Sequence, residues 1–209
     1  ASSMVLGASG GDTSGSIRNP AANNGVSGLK PTFGLVSRYG VVPISWTLDH
    51  VGPMAKTVED CALLLKVMAG YDPQDHFSAK VPIPDYPALL KVNLRGMKLG
   101  IPPASGIEKF HPDAKRTFYD ATKVLQGLGA QIIEVKLPPS LELASAAQTI
   151  IRISEAAANH RQFLLSRADR YLSDDDGAPQ VARVRTTVEA GSLITAAQYL
   201  RAQQLRKIF

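Results

Sequence analysis

Cysteine, tryptophan and aromatic residues in general are scarce in this chain. Its 209 residues hold one cysteine and one tryptophan, and aromatics make up 6%. The single thiol, Cys61, excludes an internal disulfide framework and a cysteine-based metal cluster. It fits a reducing, cytoplasmic compartment. No run of 18 apolar residues occurs, so no membrane-spanning helix is expected. The N-terminus has no basic n-region or apolar h-region of a signal peptide. It also has no initiator methionine, so the natural chain is expected to begin earlier. Lysine and arginine number 23 against 18 aspartates and glutamates, a net charge of +5. The excess is spread singly from Arg18 to Lys207 and does not interleave with aromatics, as a single-strand nucleic-acid binder would require. A mildly basic solvated surface is the reading, with neither nucleic acid nor membrane as partner. No repeat, low-complexity segment or domain linker is visible, and the length suffices for a sizeable core.

One stretch concentrates chemistry: Gly7-Ala-Ser-Gly-Gly-Asp-Thr-Ser-Gly-Ser-Ile-Arg-Asn-Pro20. Its glycines allow close approach of backbone to a ligand, and converging N–H groups make a nest for negative charge. Ser9, Ser14 and Ser16 are candidate nucleophiles in or beside that nest. A serine next to converging amides suits acyl transfer, whose tetrahedral intermediate carries an oxyanion.

The remaining pattern is α/β. Ser2 to Leu6 is a short apolar lead. The glycine- and proline-rich residues 7–56 read as irregular, with brief strands at Phe33–Ser37 and Val41–Ile44 around a turn at Tyr39-Gly40. A helix starts at Thr57, a cap with Asp60 three residues on. Its expected buried face is Val58, Cys61, Ala62, Leu65, Met68 and Ala69, and Gly70 ends it. Tyr71 to Pro87 reads as a surface connection. A β-α-β unit follows: strand Met97–Ile101, a helix opened by Pro112 and Asp113, and strand Gln131–Val135 ended by Pro138-Pro139. The two strands are expected to be parallel. The helix should bury Ala114, Phe118, Ala121, Val124, Leu125 and Leu128. From Ser140 the chain is mostly helical: Leu141 to Leu165, a loop at Asp174–Gly177, then about 181–189 and 195–208. The Asp174–Asp176 run lacks calcium-loop spacing.

Two known motifs can be set against the glycine stretch. Gly10 and Gly15 have P-loop spacing, but Ser16 stands where lysine is needed. Gly7-Ala-Ser9-Gly-Gly11 matches a nucleophile elbow, which needs a following helix. No helical period appears after it. Asp49 and His50 adjoin, but nothing in their neighbourhood marks His50, His76, His111 or His160 as a base, and a Ser-His-Asp triad built on that pair is not expected.

A third pattern is far more specific. Gly11-Asp-Thr-Ser-Gly-Ser-Ile-Arg-Asn-Pro-Ala21 resembles the core of the amidase signature family. The resemblance continues, in order, through Gly25–Gly34, Val36–Gly40, Thr47–Met54, Thr57–Leu65 and Gly70–Asp72. It implies an α/β amidase-signature fold, with a mixed β-sheet flanked by helices on both faces and incomplete here. The chain is expected to be a single incomplete domain over residues 1–209, with the signature core at 1–75 and a variable α/β and helical part at 76–209.

The resemblance also implies function. Ser16 corresponds to the family nucleophile, and the backbone of Thr13, Ser14, Gly15 and Ser16 to the oxyanion hole. Asp12 and Arg18 are expected to support the loop. Ser14 stands where glycine is usual. The family's base is a lysine acting through a second serine held by a cis peptide. Both lie further upstream of the nucleophile than this sequence reaches, so they are expected outside it. Lys30 is expected to be structural, capping loop carbonyls. Tyr39 and Trp46 are candidates for a substrate pocket or for the core. No metal or organic cofactor is implied. The expected partner is a small-molecule amide, with homo-oligomerisation open. The A subunits of glutamyl-tRNA amidotransferases share these motifs but usually carry cysteine at position 24 and Gln at position 50. Asn24 and His50 therefore favour a stand-alone amidase. A glutamyl-tRNA amidotransferase component of that kind and a non-catalytic scaffold are the alternatives.

Overall fold

The computed structural model describes residues 3–91, 93–136, 141–167 and 179–208. The expectations for Pro138-Pro139 and for the Asp174–Gly177 loop lie outside them. Contacts divide the chain into two compact units, residues 1–87 with 143–208 and residues 88–142. Parallel and antiparallel pairing are both present, in two separate small sheets.

The first unit holds a three-stranded antiparallel sheet, β1 (Gly7–Gly11), β3 (Val51–Ala55) and β2 (Ser27–Gly28), with β3 central. Gly7 pairs with Ala55 and Gly11 with Val51. Neither β1, composed of Gly-Ala-Ser-Gly-Gly, nor the proline-containing β3 carries β-propensity. The residues read as an irregular loop are thus half strand. A helix does follow, α1 (Arg18–Asn23). Its Pro20 sits in the first turn, where the N–H has no intrahelical partner to lose. The glycines of all three strands clear space for it. A Cβ on Gly28 would lie 2.6 Å from Ala21 Cβ and 3.0 Å from Ile17 O, and one on Gly10 or Gly52 would crowd the Ile17 side chain. Ile17 is fully buried as a result.

The strands expected at 33–37 and 41–44 do not form. Val36 makes a single bridge to Ala69, and Val41 N–H closes a turn on Arg38 O. Side chains take the backbone donors a ladder would need. Asp75 accepts from Arg38 N–H, Ser37 Oγ from Tyr39 N–H, and Asp49 from the amides of Ile44 and Ser45.

Helix α2 (Val58–Met68) has Thr57 as N-cap, its hydroxyl accepting from Asp60 N–H. Cys61, Ala62 and Leu65 are buried, whereas Val58 is exposed. Three further helices belong largely to this unit: α6 (Leu141–Ser166), α7 (Pro179–Gly191) and α8 (Ala196–Arg206). The last opens with a capping box between Thr195 and Gln198. Ala147, Ile151 and Ala202 form a core between α6 and α8, with Leu48, Ile150, Tyr199 and Leu205 packed against it.

Helix α3 (Tyr86–Leu89) lies at the sequence junction with the second unit. There β4 (Lys98–Ile101) and β5 (Gln131–Glu134) pair in parallel, as the β-α-β pattern predicts. Between them run a short α4 (Ala104–Ile107) and α5 (Pro112–Gly127), the latter capped by His111. The apolar face expected of α5 is not buried. Phe118 and Leu125 are half-buried, while Ala114, Ala121, Val124 and Leu128 are exposed. Two strands offer too little surface to cover a four-turn helix.

Candidate active site

The residues between β1 and α1 are organised by one carboxylate. Asp12 is fully buried. It accepts from Gly15 N–H at 2.7 Å, Ile17 N–H at 3.3 Å, and Arg18 Nε and Nη2 at 3.0 and 3.2 Å. Burial alone would push its pKa up. The Arg18 guanidinium and the two backbone donors outweigh that and hold it down at about 2. Its backbone is fixed too, by a reciprocal pair of hydrogen bonds with His50. Asp12 therefore ties the sheet, the loop and the start of α1 together.

Around this anchor, Gly15 takes a positive φ of 130°, where a Cβ would run into Asn19. Ser14 has no positive φ, so a serine there carries no left-handed strain. The Gly15 amide is spent on Asp12. Among the described residues, the amides of Thr13, Ser14 and Ser16 have no protein acceptor, and neither hydroxyl of Ser14 or Ser16 is hydrogen-bonded. Ser16 is exposed, between buried Gly15 and buried Ile17. Ser9 lies in β1 opposite Pro53.

Ser16 lines a cavity of about 380 Å³ together with Thr13, Arg38, Tyr39, Trp46 and His50. Tyr39 and Trp46 are thus pocket-lining rather than core. Arg38 is a wall residue whose role the sequence did not reveal. Its guanidinium lies 4.7 Å from the Phe33 ring centroid and 4.9 Å from that of Phe77. It pairs with buried Asp75 and donates to the Trp46 carbonyl at 2.6 Å. Burial would raise the Asp75 pKa, but donors from Phe77 and Arg38 lower it.

The Asp49-His50 pair does not form a triad. The Asp49 carboxylate accepts from Thr13 Oγ1 at 2.6 Å and from the amides of Ile44 and Ser45, both at 2.9 Å. His50 Nδ1 lies 2.6 Å from the Leu48 carbonyl. Burial depresses the His50 pKa, and the neighbouring Lys30 adds to this. The expectation that Lys30 caps loop carbonyls fails: among the described residues it makes no hydrogen bond. Behind the loop, buried Glu155 of α6 accepts from Ser45 Oγ, from Thr47 N–H and Oγ1 at 3.1 and 2.8 Å, and from Tyr199 Oη at 2.8 Å. Such a long-range partner had no local sequence signal. Cys61 is core, with its thiol 3.5 Å from the Ser27 carbonyl. No cluster of metal-ligating side chains and no helix long and apolar enough to cross a membrane occurs among the described residues.

Comparison with known proteins identifies the family and the fold. The Amidase family model matches residues 1–207. The A subunit of the glutamyl-tRNA(Gln) amidotransferase of Akkermansia muciniphila is 38% identical over the whole chain, which covers 47% of that protein. The protein of the same name from Geobacter sp. strain M21 is 50% identical over 74% of the chain and 32% of its own length. The solved structure of native peptide amidase from Stenotrophomonas maltophilia superposes with a TM-score of 0.75 at 30% identity, over 96% of this chain and 44% of that one. The chain thus spans less than half the length of these relatives. Its α/β fold and its family are settled together: the chain belongs to the amidase signature family.

Proposed function

We propose that the protein hydrolyses a linear amide with Ser16 as nucleophile. The observation that carries this is an exposed serine on a pocket wall, beside three unspent backbone amides, in a loop clamped by Asp12 and Arg18. Ser16 Oγ attacks the carbonyl carbon of the amide. The amides of Thr13, Ser14 and Ser16 receive the oxyanion, while Gly15 contributes its conformation and its anchor to Asp12. The proton leaving Ser16 passes to a base and from it to the departing nitrogen, the C–N bond breaks, and water then releases the acid from the acyl-enzyme. Among the described residues nothing hydrogen-bonds Ser16 Oγ, so this reading takes its base from elsewhere in the enzyme. Residues 1–209 are, on this view, one part of a larger amidase-signature domain. The test is labelling of the natural full-length protein with a serine-directed fluorophosphonate. Labelling at Ser16 that disappears in Ser16→Ala, with loss of amide turnover, is expected; turnover retained by Ser16→Ala overturns the reading.

A second reading keeps the same chemistry and changes the acceptor. The amidotransferase names of the relatives favour a protein that passes ammonia to a partner enzyme. Asn24 and His50 favour a stand-alone amidase. Ammonia released by the purified protein alone, at a rate no partner protein alters, decides for the latter.

A further inference from the structure

A second cavity, of about 440 Å³, opens on the same loop. Its wall includes Ser14, Arg18, Lys30, Thr47, Gln148 and Arg206 and contains no carboxylate. Three basic side chains, half-buried Lys30 and the exposed Arg18 and Arg206, therefore line one cavity. The acids nearby are already engaged: Asp12 by Arg18 and backbone amides, Asp49 by Thr13, Ile44 and Ser45, and Glu155 by Ser45, Thr47 and Tyr199. Arg18 is matched by Asp12, whereas among the described residues the Arg206 guanidinium donates to the neutral Thr47 carbonyl at 3.1 Å and meets no carboxylate. Lys30 is half-buried and has no hydrogen bond or ion pair among the described residues. Gln148 Nε2 is buried without an acceptor. Buried donors are rarely left unsatisfied, and Gln148 Nε2 is one such donor; half-buried Lys30 and the exposed Ser14 and Arg206 share the cavity wall with it and have no carboxylate partner among the described residues.

We propose that this cavity binds an oxyanion, a carboxylate or phosphate group, held by Lys30, Arg206 and Gln148 with the Ser14 hydroxyl as a further donor. The chemistry of the site is one of charge-assisted hydrogen bonds to oxygen. Burial depresses the Lys30 pKa, Arg18 depresses it further, and Asp12 opposes both; an anion beside it reverses that shift. Ser14 stands where relatives of this family usually have glycine, so its hydroxyl gives this chain a donor that a glycine lacks. The anion has two sources, a carboxylate on the amide substrate or a free inorganic anion. The substrate arm rests on the amidase reading above, whereas anion binding does not.

The test is calorimetric titration of the natural full-length protein at low ionic strength, with inorganic phosphate and separately with acetate. Saturable binding of at least one is expected, weakened about tenfold in Lys30→Met and in Arg206→Met, since a charge-assisted hydrogen bond is worth that much. Lys30→Arg should retain it, which separates loss of charge from loss of fold. Ser16→Ala should bind the anion unchanged. Absence of saturable binding, or full binding by both methionine variants, overturns the proposal. Amide substrates with and without a carboxylate then identify the source. A lower KM for the acid-bearing amide that is lost in Lys30→Met supports the substrate's own group. Phosphate binding through Lys30 without such a preference supports a free anion. Turnover retained by Ser16→Ala would sink the hydrolase reading and leave the titration standing. Failed titration with normal Ser16 labelling would sink the anion site alone.

Discussion

Thr13 donates its hydroxyl to Asp49 across 36 positions of chain, and the other oxygen of that carboxylate holds the amides of Ile44 and Ser45. The wall of the Ser16 cavity and the loop that carries Ser16 are thereby joined through one side chain. Asp49→Ala should cost about 2–3 kcal/mol of stability, because it strands donors to a charged acceptor. Asp49→Asn, which keeps one acceptor oxygen, should cost less. Urea denaturation measures both, and equal losses would mean that the retained amide oxygen contributes nothing.

Asp12 makes stability depend on pH. Its folded-state pKa lies below the unfolded one, so its contribution is fully present above about pH 4 and is lost as pH falls through about 2. The shift corresponds to roughly 2 kcal/mol. Asp12→Asn should remove that increment at neutral pH, and the gap between the variants should close near pH 2. A gap that stays constant over this range would contradict the geometry.

The buried Glu155 carboxylate faces hydroxyl and amide donors, with no ion-pair partner among the described residues. Glu155→Ala should lower stability by about 3 kcal/mol, as several buried donors lose their acceptor together. Tyr199→Phe removes one of them and should cost about 1 kcal/mol. Thermal melts of the two single variants and the double variant would show non-additivity, because both act on one network. Strict additivity would argue against the network.

Two glycine substitutions should act in opposite directions. Gly28→Ala places a methyl against Ala21 and the Ile17 backbone and should destabilise by about 1–3 kcal/mol through overpacking. Gly127→Ala, in α5 with open space around its Cβ position, should stabilise by about 0.5–1 kcal/mol. Melting temperatures that move the same way in both would refute the packing argument.

What the sequence disclosed follows from where the physics is local. Helix α2 was legible because Thr57 and Asp60 carry a capping signal and Cys61, Ala62 and Leu65 repeat at helical spacing. The β4–α5–β5 unit was legible for similar reasons. Strand β1 was not, since five small residues form it only by pairing with β3, and Pro53 at the centre of β3 disguises that partner. The segment at 41–44 looked like a strand, but Val41 N–H closes a turn on Arg38 and Asp49 takes the Ile44 amide. The site divides the same way. The motif around Ser16 can be matched in the linear chain, whereas Arg38 between two phenylalanine rings and Glu155 beneath residues 45–47 are products of tertiary contact.

Glu155 meets Ser45, Thr47 and Tyr199 across 110, 108 and 44 positions of chain. Closing such loops is entropically expensive and slow, and the carboxylate cannot leave water until all three partners arrive. The segment 44–49 should therefore reach its native form late in folding, after α6 and α8 have docked. The cavity around Ser16, and the second one beside Ser14, would then be finished only when the C-terminal helices of this chain are in place. A folding intermediate could hold the signature loop and still lack both walls.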